Sequence, residues 1–298
     1  GLDEDLCNVY VTSFTGAALI GTSQGIWSNH PANAAGVIFA DNTSPISGIS
    51  GLIEGDYQFI WTLTNGSCTP VNDTVVINVY DPPVSDAGLD QQLCNTYTTI
   101  LTGNNPIGTS TGMWSEDATS ANPSVVVFGD ATAFNSSISG LIEGTYSLVW
   151  TVSNGTCTPV TDTVLIDVYD TPVAIAGADI DLCNIYTSTL PGTVPVGTST
   201  GFWTANPTAT NPGSVIYVDS TDANTSISGL VEGTYSLLWT VENGSCLPDV
   251  DTLIINVYDQ PIANAGIDID TCNTTGALLQ GNSPLGTATG LWSEDANV

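Results

Sequence analysis

Three segments of the sequence match the G-x-S-x-G pattern that carries the nucleophile of many serine hydrolases. They are residues 21–25, 108–112 and 197–201. Such an enzyme also needs a general base beside the serine. His30 is the only histidine available to three candidate serines, and the fourth copy of the pattern has Ala288 in place of the serine. We therefore expect glycine-rich turns at these positions and a chain that is not an enzyme.

Carboxylates recur at fixed positions along the chain, which makes calcium the metal to consider, because it takes six to eight oxygen ligands. The candidate ligands lie near the junctions between sequence repeats and are Asp81, Asp90, Asp170, Asp179, Asp259 and Asp268. The sequence has no D-x-D-x-D-G calcium loop, and it has no C-x-x-C pair of the kind that binds zinc. The alternative is that these carboxylates cap turns and keep edge strands from pairing with other chains. Calcium is the only cofactor that the sequence leaves open.

The sequence contains no lysine or arginine, 30 aspartate and glutamate residues and one histidine, which gives a formal net charge of −30. The resulting field repels polyanions and excludes nucleic acids and anionic membrane surfaces as partners. Phosphate-cradling loops, pyridoxal Schiff bases and arginine clamps all need the missing basic residues. The longest apolar runs are far shorter than the roughly 20 residues of a membrane-crossing helix, so we expect no membrane insertion.

Cysteine and tryptophan recur with a period of about 89 residues, the length of one small domain. A first cysteine precedes a tryptophan by 20 residues in the pairs Cys7–Trp27, Cys94–Trp114, Cys183–Trp203 and Cys272–Trp292. A second cysteine follows a tryptophan by seven residues in the pairs Trp61–Cys68, Trp150–Cys157 and Trp239–Cys246. The predicted repeats are residues 1–80, 81–169 and 170–258, with a partial repeat at 259–298. Gly1 aligns with Gly88, so we expect repeat 1 to lack its opening strand and the chain to be a piece of a longer protein.

Apolar and polar residues alternate within each repeat, as at Tyr146, Leu148, Trp150 and Val152. A period of two is typical of a β-strand with one buried face. Five or more such runs per repeat, separated by Gly, Pro, Asn and Asp, predict an all-β fold of tandem antiparallel β-sandwiches. We place Trp114 and Trp150, and their equivalents in the other repeats, in the cores. Prolines at the junctions favour extended linkers, so we expect a semi-rigid rod.

Three stretches carry a resemblance to a known family. They are Pro-Val-Ser-Asp-Ala-Gly-Leu-Asp at 83–90, Gly-Thr-Tyr-Ser-Leu-Val-Trp-Thr-Val-Ser-Asn-Gly-Thr-Cys at 144–157 and Asp-Thr-Val-Leu-Ile-Asp-Val at 162–168. They resemble the PKD-like and Ig-like repeats of giant cell-surface proteins of Bacteroidota, of which the gliding-motility adhesins of SprB type are relatives. The resemblance covers the whole chain. The PKD consensus often continues from its tryptophan into Phe-Gly-Asp-Gly, whereas Ser-Glu-Asp follows Trp114, so the match is PKD-like rather than strict.

The resemblance implies an extracellular, cell-surface protein that is exported by the type IX system. It also implies a modification, because bacteria of this phylum O-glycosylate an Asp-[Ser/Thr]-aliphatic pattern. The candidate acceptors share one repeat position and are Thr74, Thr163 and Thr252. The alternative is that this pattern only begins an ordinary strand of a threonine-rich chain.

Cysteines at regular positions of an exported chain indicate disulfide bonds. In the strand order of an Ig or PKD domain, the two cysteines of one repeat lie at opposite poles, whereas a disulfide needs Cα atoms within about 7 Å. We therefore favour bonds that join neighbouring repeats. The favoured bonds are Cys7 to Cys157 and Cys94 to Cys246. The cysteines whose partners would lie outside the 298 residues are Cys68, Cys183 and Cys272. The alternative is a bond within a repeat, Cys94 to Cys157.

Near-identical repeats favour a structural role, because binding specificity usually resides in a divergent loop. We expect a repeat segment of a long extracellular fibre or adhesin stalk that projects from the cell surface and serves gliding or attachment. The alternative function is a calcium- or glycan-binding module. The expected partners are neighbouring repeats of the same chain, other fibre chains and surface glycans.

Overall fold

The computed structural model describes residues 1–294. Residues 295–298, the end of the predicted partial repeat, lie outside the described residues. The described chain forms 21 strands and no helix, which confirms the all-β prediction. No described segment is a helix of the length and apolarity that crossing a membrane requires.

Three sandwiches of seven strands each follow one another along the chain. The first contains β1 Glu4–Cys7, β2 Thr12–Ser13, β3 Gln24–Asn29, β4 Ile38–Phe39, β5 Gly48–Ser50, β6 Gly55–Thr64 and β7 Val71–Tyr80. The second contains β8 Gln91–Cys94, β9 Thr99–Ile100, β10 Thr111–Glu116, β11 Val127–Phe128, β12 Ser137–Ser139, β13 Gly144–Ser153 and β14 Val160–Tyr169. The third contains β15 Ile180–Cys183, β16 Ser188–Thr189, β17 Thr200–Ala205, β18 Ile216–Tyr217, β19 Ser226–Ser228, β20 Gly233–Glu242 and β21 Asp249–Tyr258.

Each sandwich packs a four-stranded sheet against a three-stranded one, in the orders β1-β7-β6-β3 and β2-β5-β4 for the first. The two longest strands form an antiparallel hairpin, with Gly55 opposite Val79 and Leu63 opposite Val71. The pairing at one edge of the larger sheet departs from the purely antiparallel prediction, because β1 runs parallel to β7, as β15 does to β21. The reason is connectivity: β1 continues into β2 of the opposite sheet and makes no hairpin with β7. Its last residue, Cys7, therefore lies beside the last residue of β7, Tyr80.

The cores are three separate apolar clusters, one for each sandwich. Each contains two tryptophans on adjacent strands, and the ring centroids of Trp114 and Trp150 are 4.9 Å apart. The predicted core positions are thus confirmed in three repeats. The prediction is wrong for the partial repeat, where Trp292 is 53% exposed. The described part of residues 259–298 forms no strand, and the sequence contains no equivalents of β6 and β7 that could cover this ring.

The segment at the start of repeat 2 corrects another expectation. We expected residues 83–90 to form the opening strand of repeat 2 and repeat 1 to lack its equivalent. Residues 83–90 form no strand, and repeat 1 has the same seven strands as repeats 2 and 3. Residues 83–90 are held by side chains instead. Asp162 Oδ2 accepts a hydrogen bond from Ala87 N at 2.8 Å, and Ser85 Oγ donates to Trp150 O at 2.7 Å. Asn104 adds two further contacts, because its Oδ1 accepts a bond from Asp86 N and its Nδ2 donates to Val84 O, both at 2.9 Å.

The chain divides into two compact units, residues 1–168 and the part from Tyr169 onward. The division falls within one residue of the predicted boundary between repeats 2 and 3. Repeats 1 and 2 belong to the same compact unit, so the joint between them belongs to one body.

The indole of Trp150 gives a stability prediction. Its Nε1 donates to Asn104 Oδ1 at 3.0 Å, whereas the equivalent nitrogens of Trp61 and Trp239 are buried without a partner in the described structure. We expect Asn104→Ala to lower the free energy of unfolding of repeat 2 by about 1–3 kcal/mol, because it orphans a buried donor. Hydrogen exchange of the β13 amides measures the loss. The exposed neighbour Asn105 is the control, since Asn105→Ala should leave exchange unchanged; equal effects of the two substitutions would contradict the prediction.

Candidate functional site: the joint between repeats 1 and 2

The serines of the G-x-S-x-G segments lie in tight turns. Ser110 N donates to Ile107 O at 3.1 Å, and Ser23 and Ser199 make the same turn bond. The single histidine, His30, lies in a turn of its own and accepts a hydrogen bond at Nδ1 from Ala32 N at 3.2 Å. These positions are glycine-rich turns, as the sequence predicts, and they offer no positive evidence of catalysis.

The proposed calcium ligands are not brought together. Asp81 Oδ1 accepts a hydrogen bond from Tyr10 Oη at 2.8 Å, and Asp90 Oδ1 accepts one from Leu165 N at 2.8 Å. In the same way, Asp179 Oδ1 accepts a bond from Ile254 N, and Asp259 Oδ1 accepts one from Tyr186 Oη. Asp268 is exposed. The main-chain carbonyl of Asp170 accepts a bond from Asn243. Among residues 1–294, no three side chains of His, Cys, Asp or Glu form a cluster that could hold a metal ion. Protein donors already face the side chains of Asp81, Asp90, Asp179 and Asp259, and calcium binding by the six aspartates stays a prediction.

The candidate glycosylation residues have accessible hydroxyl-bearing side chains. Thr74, Thr163 and Thr252 lie on the equivalent strands β7, β14 and β21, and all three are exposed. Their glycosylation stays a prediction. The aspartates before them have a structural use, as Asp162 shows by holding Ala87.

Two complementary surfaces meet where repeat 1 joins repeat 2. We call one the lower face; in repeat 1 it consists of Cys7, Glu54, Tyr80 and Asp81. We call the other the upper face; in repeat 2 it consists of Gly108, Thr109, Asn154, Gly155 and Cys157. Asn154 and Cys157 are only 1% and 4% exposed, so the joint buries polar groups that a free sandwich would leave in water.

Glu54 is the centre of the hydrogen bonding at this joint. Its Oε1 accepts bonds from Asn154 Nδ2 at 2.7 Å, Thr109 Oγ1 at 2.9 Å and Thr109 N at 3.3 Å. Asn154 Nδ2 also donates to Asp81 O at 2.9 Å. These donors lower the pKa of the Glu54 carboxyl, the bond from Asn154 most of all. A carboxylate of a chain without basic side chains is thus satisfied by neutral donors.

Two glycines let the faces approach closely. Gly155 has a φ of 48° in the turn between β13 and β14, and a Cβ there would overlap the ring of Tyr80. Gly108 has a φ of 62°, and a Cβ there would overlap the carboxylate of Glu54. Glycine is required at both positions by backbone conformation and by space.

A disulfide closes the joint. Cys7 at the end of β1 is bonded to Cys157, with Cα atoms 5.1 Å apart and a sequence separation of 150. Cys157 Sγ lies 3.6 Å from Asp81 O, so the bond runs beside the peptide linker that also joins the repeats. Cys94 and Cys246 are likewise in disulfide form, while Cys68, Cys183 and Cys272 are exposed free thiols. The pairing of Cys94 with Cys246 stays a prediction.

The same contacts occur in the second compact unit. Asn243 Nδ2 donates to Asp170 O at 2.9 Å, and Cys246 Sγ lies 3.5 Å from that oxygen. Glu232, the equivalent of Glu54, accepts bonds at Oε1 from Thr287 N and Oγ1, both at 3.0 Å. Several contacts of the joint between repeats 1 and 2 therefore recur at equivalent residues of the second compact unit.

Sequence reasoning located the cysteines of this site but missed Glu54, Thr109 and Asn154 as one group. The signals were present, since the Glu-Gly, Gly-Thr-Ser and Asn-Gly-x-Cys segments recur in the repeats. Each was interpreted as a turn of its own repeat. Only the placement of one repeat's lower face on the next repeat's upper face joins them.

Acid should weaken the joint through Glu54. The pKa of this group is lowered in the folded chain, so its stabilisation is present above the pKa of an unfolded glutamate, about 4.3, and is lost as pH falls through the folded value. We expect the difference in unfolding free energy between the native chain and Glu54→Gln to be largest near pH 7 and to shrink as pH falls below 4. Denaturant titrations from pH 7 to pH 2 measure it. The exposed Asp56→Asn is the control, and a difference that does not change with pH would contradict the prediction.

The chain has detectable similarity to known proteins. No protein-family model matches the chain. Mouse dyslexia-associated protein KIAA0319-like protein is 26% identical over 252 residues, which are 79% of this chain and 24% of that protein. The chain thus spans about a quarter of the length of this curated relative.

Three solved structures resemble the chain at TM-scores below 0.5. Titin I-band fragment I67–I69 matches at 13% identity and a TM-score of 0.47, over 87% of this chain and 96% of that one. Drosophila OTK extracellular domains 3–5 match at 13% and 0.43, over 86% and 94%. The PKD domain from KIAA 1837 protein matches at 22% and 0.26, over 29% of this chain and 86% of that one. The protein is a tandem array of Ig-like sandwiches, as its own strand order shows.

Proposed function

We propose that the chain is a load-bearing repeat segment of an extracellular fibre or adhesin stalk, of the kind displayed on the surface of Bacteroidota and exported by the type IX system for gliding or attachment. The observation that carries the proposal is the joint in which Cys7 and Cys157 link two sandwiches beside the peptide linker. Disulfides persist in oxidising, extracytoplasmic environments, which supports an extracellular location. Proposed partners are neighbouring repeats, other fibre chains and surface glycans.

The strand order suits a chain under tension. β1 and β7 lie parallel, with Glu4 beside Ile77 and Cys7 beside Tyr80. When the Cys7–Cys157 bond is reduced, a pull on the start of β1 and an opposite pull on the end of β7 loads their backbone hydrogen bonds together, in shear, and does not open them one at a time. Resistance to extension is what a stalk requires.

The disulfide gives the load a second route. Tension that enters β1 passes at Cys7 through the sulfur atoms to Cys157 and then along β14. The 150-residue span between the two cysteines is bypassed, so the first sandwich need not unfold when its neighbours do.

Single-molecule force spectroscopy tests the proposal on the full chain with handles at both ends. The variant Cys94→Ala/Cys246→Ala leaves Cys7–Cys157 as the one native bond described. At about 3.5 Å per residue, reduction should release about 500 Å of additional length from the bypassed 150 residues. The fully cysteine-free chain is the matched control and should show no change on reduction. Identical unfolding forces and lengths in the oxidised and reduced forms would overturn the load-bearing role.

A further inference from the structure

The turn of repeat 2 that enters the joint contains an asparagine followed by a glycine. An Asn-Gly step loses ammonia without an enzyme, because the glycine nitrogen attacks the side-chain carbonyl carbon of the asparagine and glycine has no Cβ to obstruct it. Asn154 and Gly155 lie in the turn between β13 and β14, in which Cys157 N donates to Asn154 O at 2.9 Å. The reaction needs a side chain that is free to rotate, and its second step needs water.

The closed joint denies Asn154 both requirements. Its Nδ2 donates to Glu54 Oε1 at 2.7 Å and to Asp81 O at 2.9 Å. Its Oδ1 accepts a bond from Thr109 Oγ1 at 2.7 Å. The side chain is thus held by three hydrogen bonds, two of them from the neighbouring repeat. Asn154 is also only 1% exposed, so water is excluded from its carbonyl carbon.

The product of the reaction does not fit the closed joint. Aspartate at position 154 would place a carboxylate oxygen where Nδ2 now lies, 2.7 Å from Glu54 Oε1. Two carboxylates at that separation repel each other, and the chain has no lysine or arginine to neutralise them. The isoaspartate product also adds a main-chain carbon inside the turn that positions Cys157. Either product therefore removes a donor from the joint and adds a like charge.

We propose that Asn154-Gly155 is a site of non-enzymatic deamidation that the closed joint protects, and that deamidation after the joint opens prevents it from closing again. In the first step, Gly155 N forms a bond to Asn154 Cγ and loses its proton, and Nδ2 leaves as ammonia. In the second step, water adds to either carbonyl of the cyclic imide and gives aspartate or isoaspartate. One water is taken up and one ammonia is released, with no oxidant or reductant.

The fraction of molecules with an open joint sets the rate at this site. When opening and closing are fast relative to the chemical step, the modification rate follows the open population. The Cys7–Cys157 bond holds the two repeats together, so its removal raises that population. An internal reference is present in the chain, because Asn65-Gly66 is exposed and Gly66 has a φ of 56°, close to the 48° of Gly155.

The first experiment compares the two Asn-Gly steps within one molecule. The full chain is incubated at neutral pH, and deamidation is followed by mass spectrometry of peptic peptides, since a chain without lysine and arginine offers no trypsin site. In the oxidised chain we expect deamidation at Asn154 to be slower than at Asn65 by about tenfold or more. Equal rates at the two asparagines would overturn the protection.

Variants of the joint test whether opening controls the rate. We expect Cys7→Ala/Cys157→Ala to raise the rate at Asn154 by about tenfold, whereas the matched control Cys94→Ala/Cys246→Ala leaves it unchanged. Equal rates at Asn154 in these two variants would overturn the dependence on opening.

Glu54→Ala provides a second test that keeps the disulfide. It removes an acceptor that holds Asn154, so we expect faster deamidation there, while the exposed Asp56→Ala should not change the rate. Equal rates in Glu54→Ala and Asp56→Ala would contradict the role of the hydrogen bonds.

The last experiment tests whether the modified joint can close. Asn154→Asp has the side chain of the product, and closure is measured as the equilibrium constant for re-forming Cys7–Cys157 in a glutathione buffer after reduction, followed by peptide mapping. We expect this constant to fall about tenfold because of the added carboxylate beside Glu54, and the exposed Asn65→Asp to leave it unchanged. Equal constants for the two variants would overturn the one-way consequence. None of these measurements depends on the force that the chain withstands, so the stalk function is judged separately.

Discussion

Replacement of both Cys7 and Cys157 by alanine lowers the unfolding free energy of the first compact unit by about 5 kcal/mol. The bond closes a loop of about 150 residues, and in the chain-entropy account a loop of that length restricts the unfolded chain by this amount. The loss should fall on both repeats 1 and 2, because the bond joins one to the other. Hydrogen exchange resolved by peptic peptides measures it, with protection of β6, β7, β13 and β14 as the readout.

The matched control is Cys68→Ala. Cys68 occupies the equivalent Asn-Gly-x-Cys turn of repeat 1 but is an unbonded, exposed thiol, so its replacement at micromolar concentration, with no reductant present, should leave exchange unchanged. Repeat 3 provides an internal control, since its β20 and β21 lie outside the closed loop. Unchanged protection of repeats 1 and 2 in the double variant would show that the bond contributes nothing to the stability of the joint.

Gly112→Ala is expected to destabilise repeat 2 by about 3 kcal/mol. Gly112 lies on β10, opposite Val152 of β13, and an added Cβ would overlap the indole ring of Trp150. The ring cannot retreat easily, because it packs against Trp114 and its Nε1 is bonded to Asn104. Overpacking of a rigid core typically costs about 1–3 kcal/mol, and this site lies at the upper end of that range.

Thr111→Ala is the control for this change, since Thr111 is the exposed neighbour of Gly112 on the same strand. Tryptophan fluorescence during denaturant unfolding should show an earlier transition for Gly112→Ala alone. Gly25 and Gly201 meet Trp61 and Trp239 in the same way, so alanine at either position should destabilise its own repeat similarly. A Gly112→Ala chain as stable as Thr111→Ala would mean that the ring moves freely.

The strands and cores were predictable because their signal is local. Tyr146, Leu148 and Trp150 alternate with polar residues, and period-two alternation needs only neighbours along the chain to be interpreted. The parallel pairing of β1 with β7 was not predictable in this way, because Glu4 and Ile77 come together through the connection between the two sheets. The expected strand at 83–90 rested only on the alignment of Gly1 with Gly88, which carries no information on pairing, and side-chain hydrogen bonds fix this segment instead.

The joint shows where sequence reasoning was strong and where it failed. The pairing of Cys7 with Cys157 was favoured from strand order, since the poles of one sandwich are too far apart, and the structure contains this bond. The role of Glu54 was missed, because its donors Thr109 and Asn154 lie 55 and 100 residues away in the sequence. The calcium prediction drew on the aspartates near the junctions and did not include Glu54, whose carboxylate is satisfied by neutral donors.

The covalent link between Cys7 and Cys157 also changes the outcome of proteolytic cleavage. A cut at any one peptide bond between these residues, for example in the exposed stretch around Ala34 and Ala35 of repeat 1, leaves the two pieces joined through sulfur. The chain therefore survives a single nick anywhere within that 150-residue span without losing its continuity. A surface fibre built in this way would shed its outer part only after reduction of the bond, or after a cut outside the span.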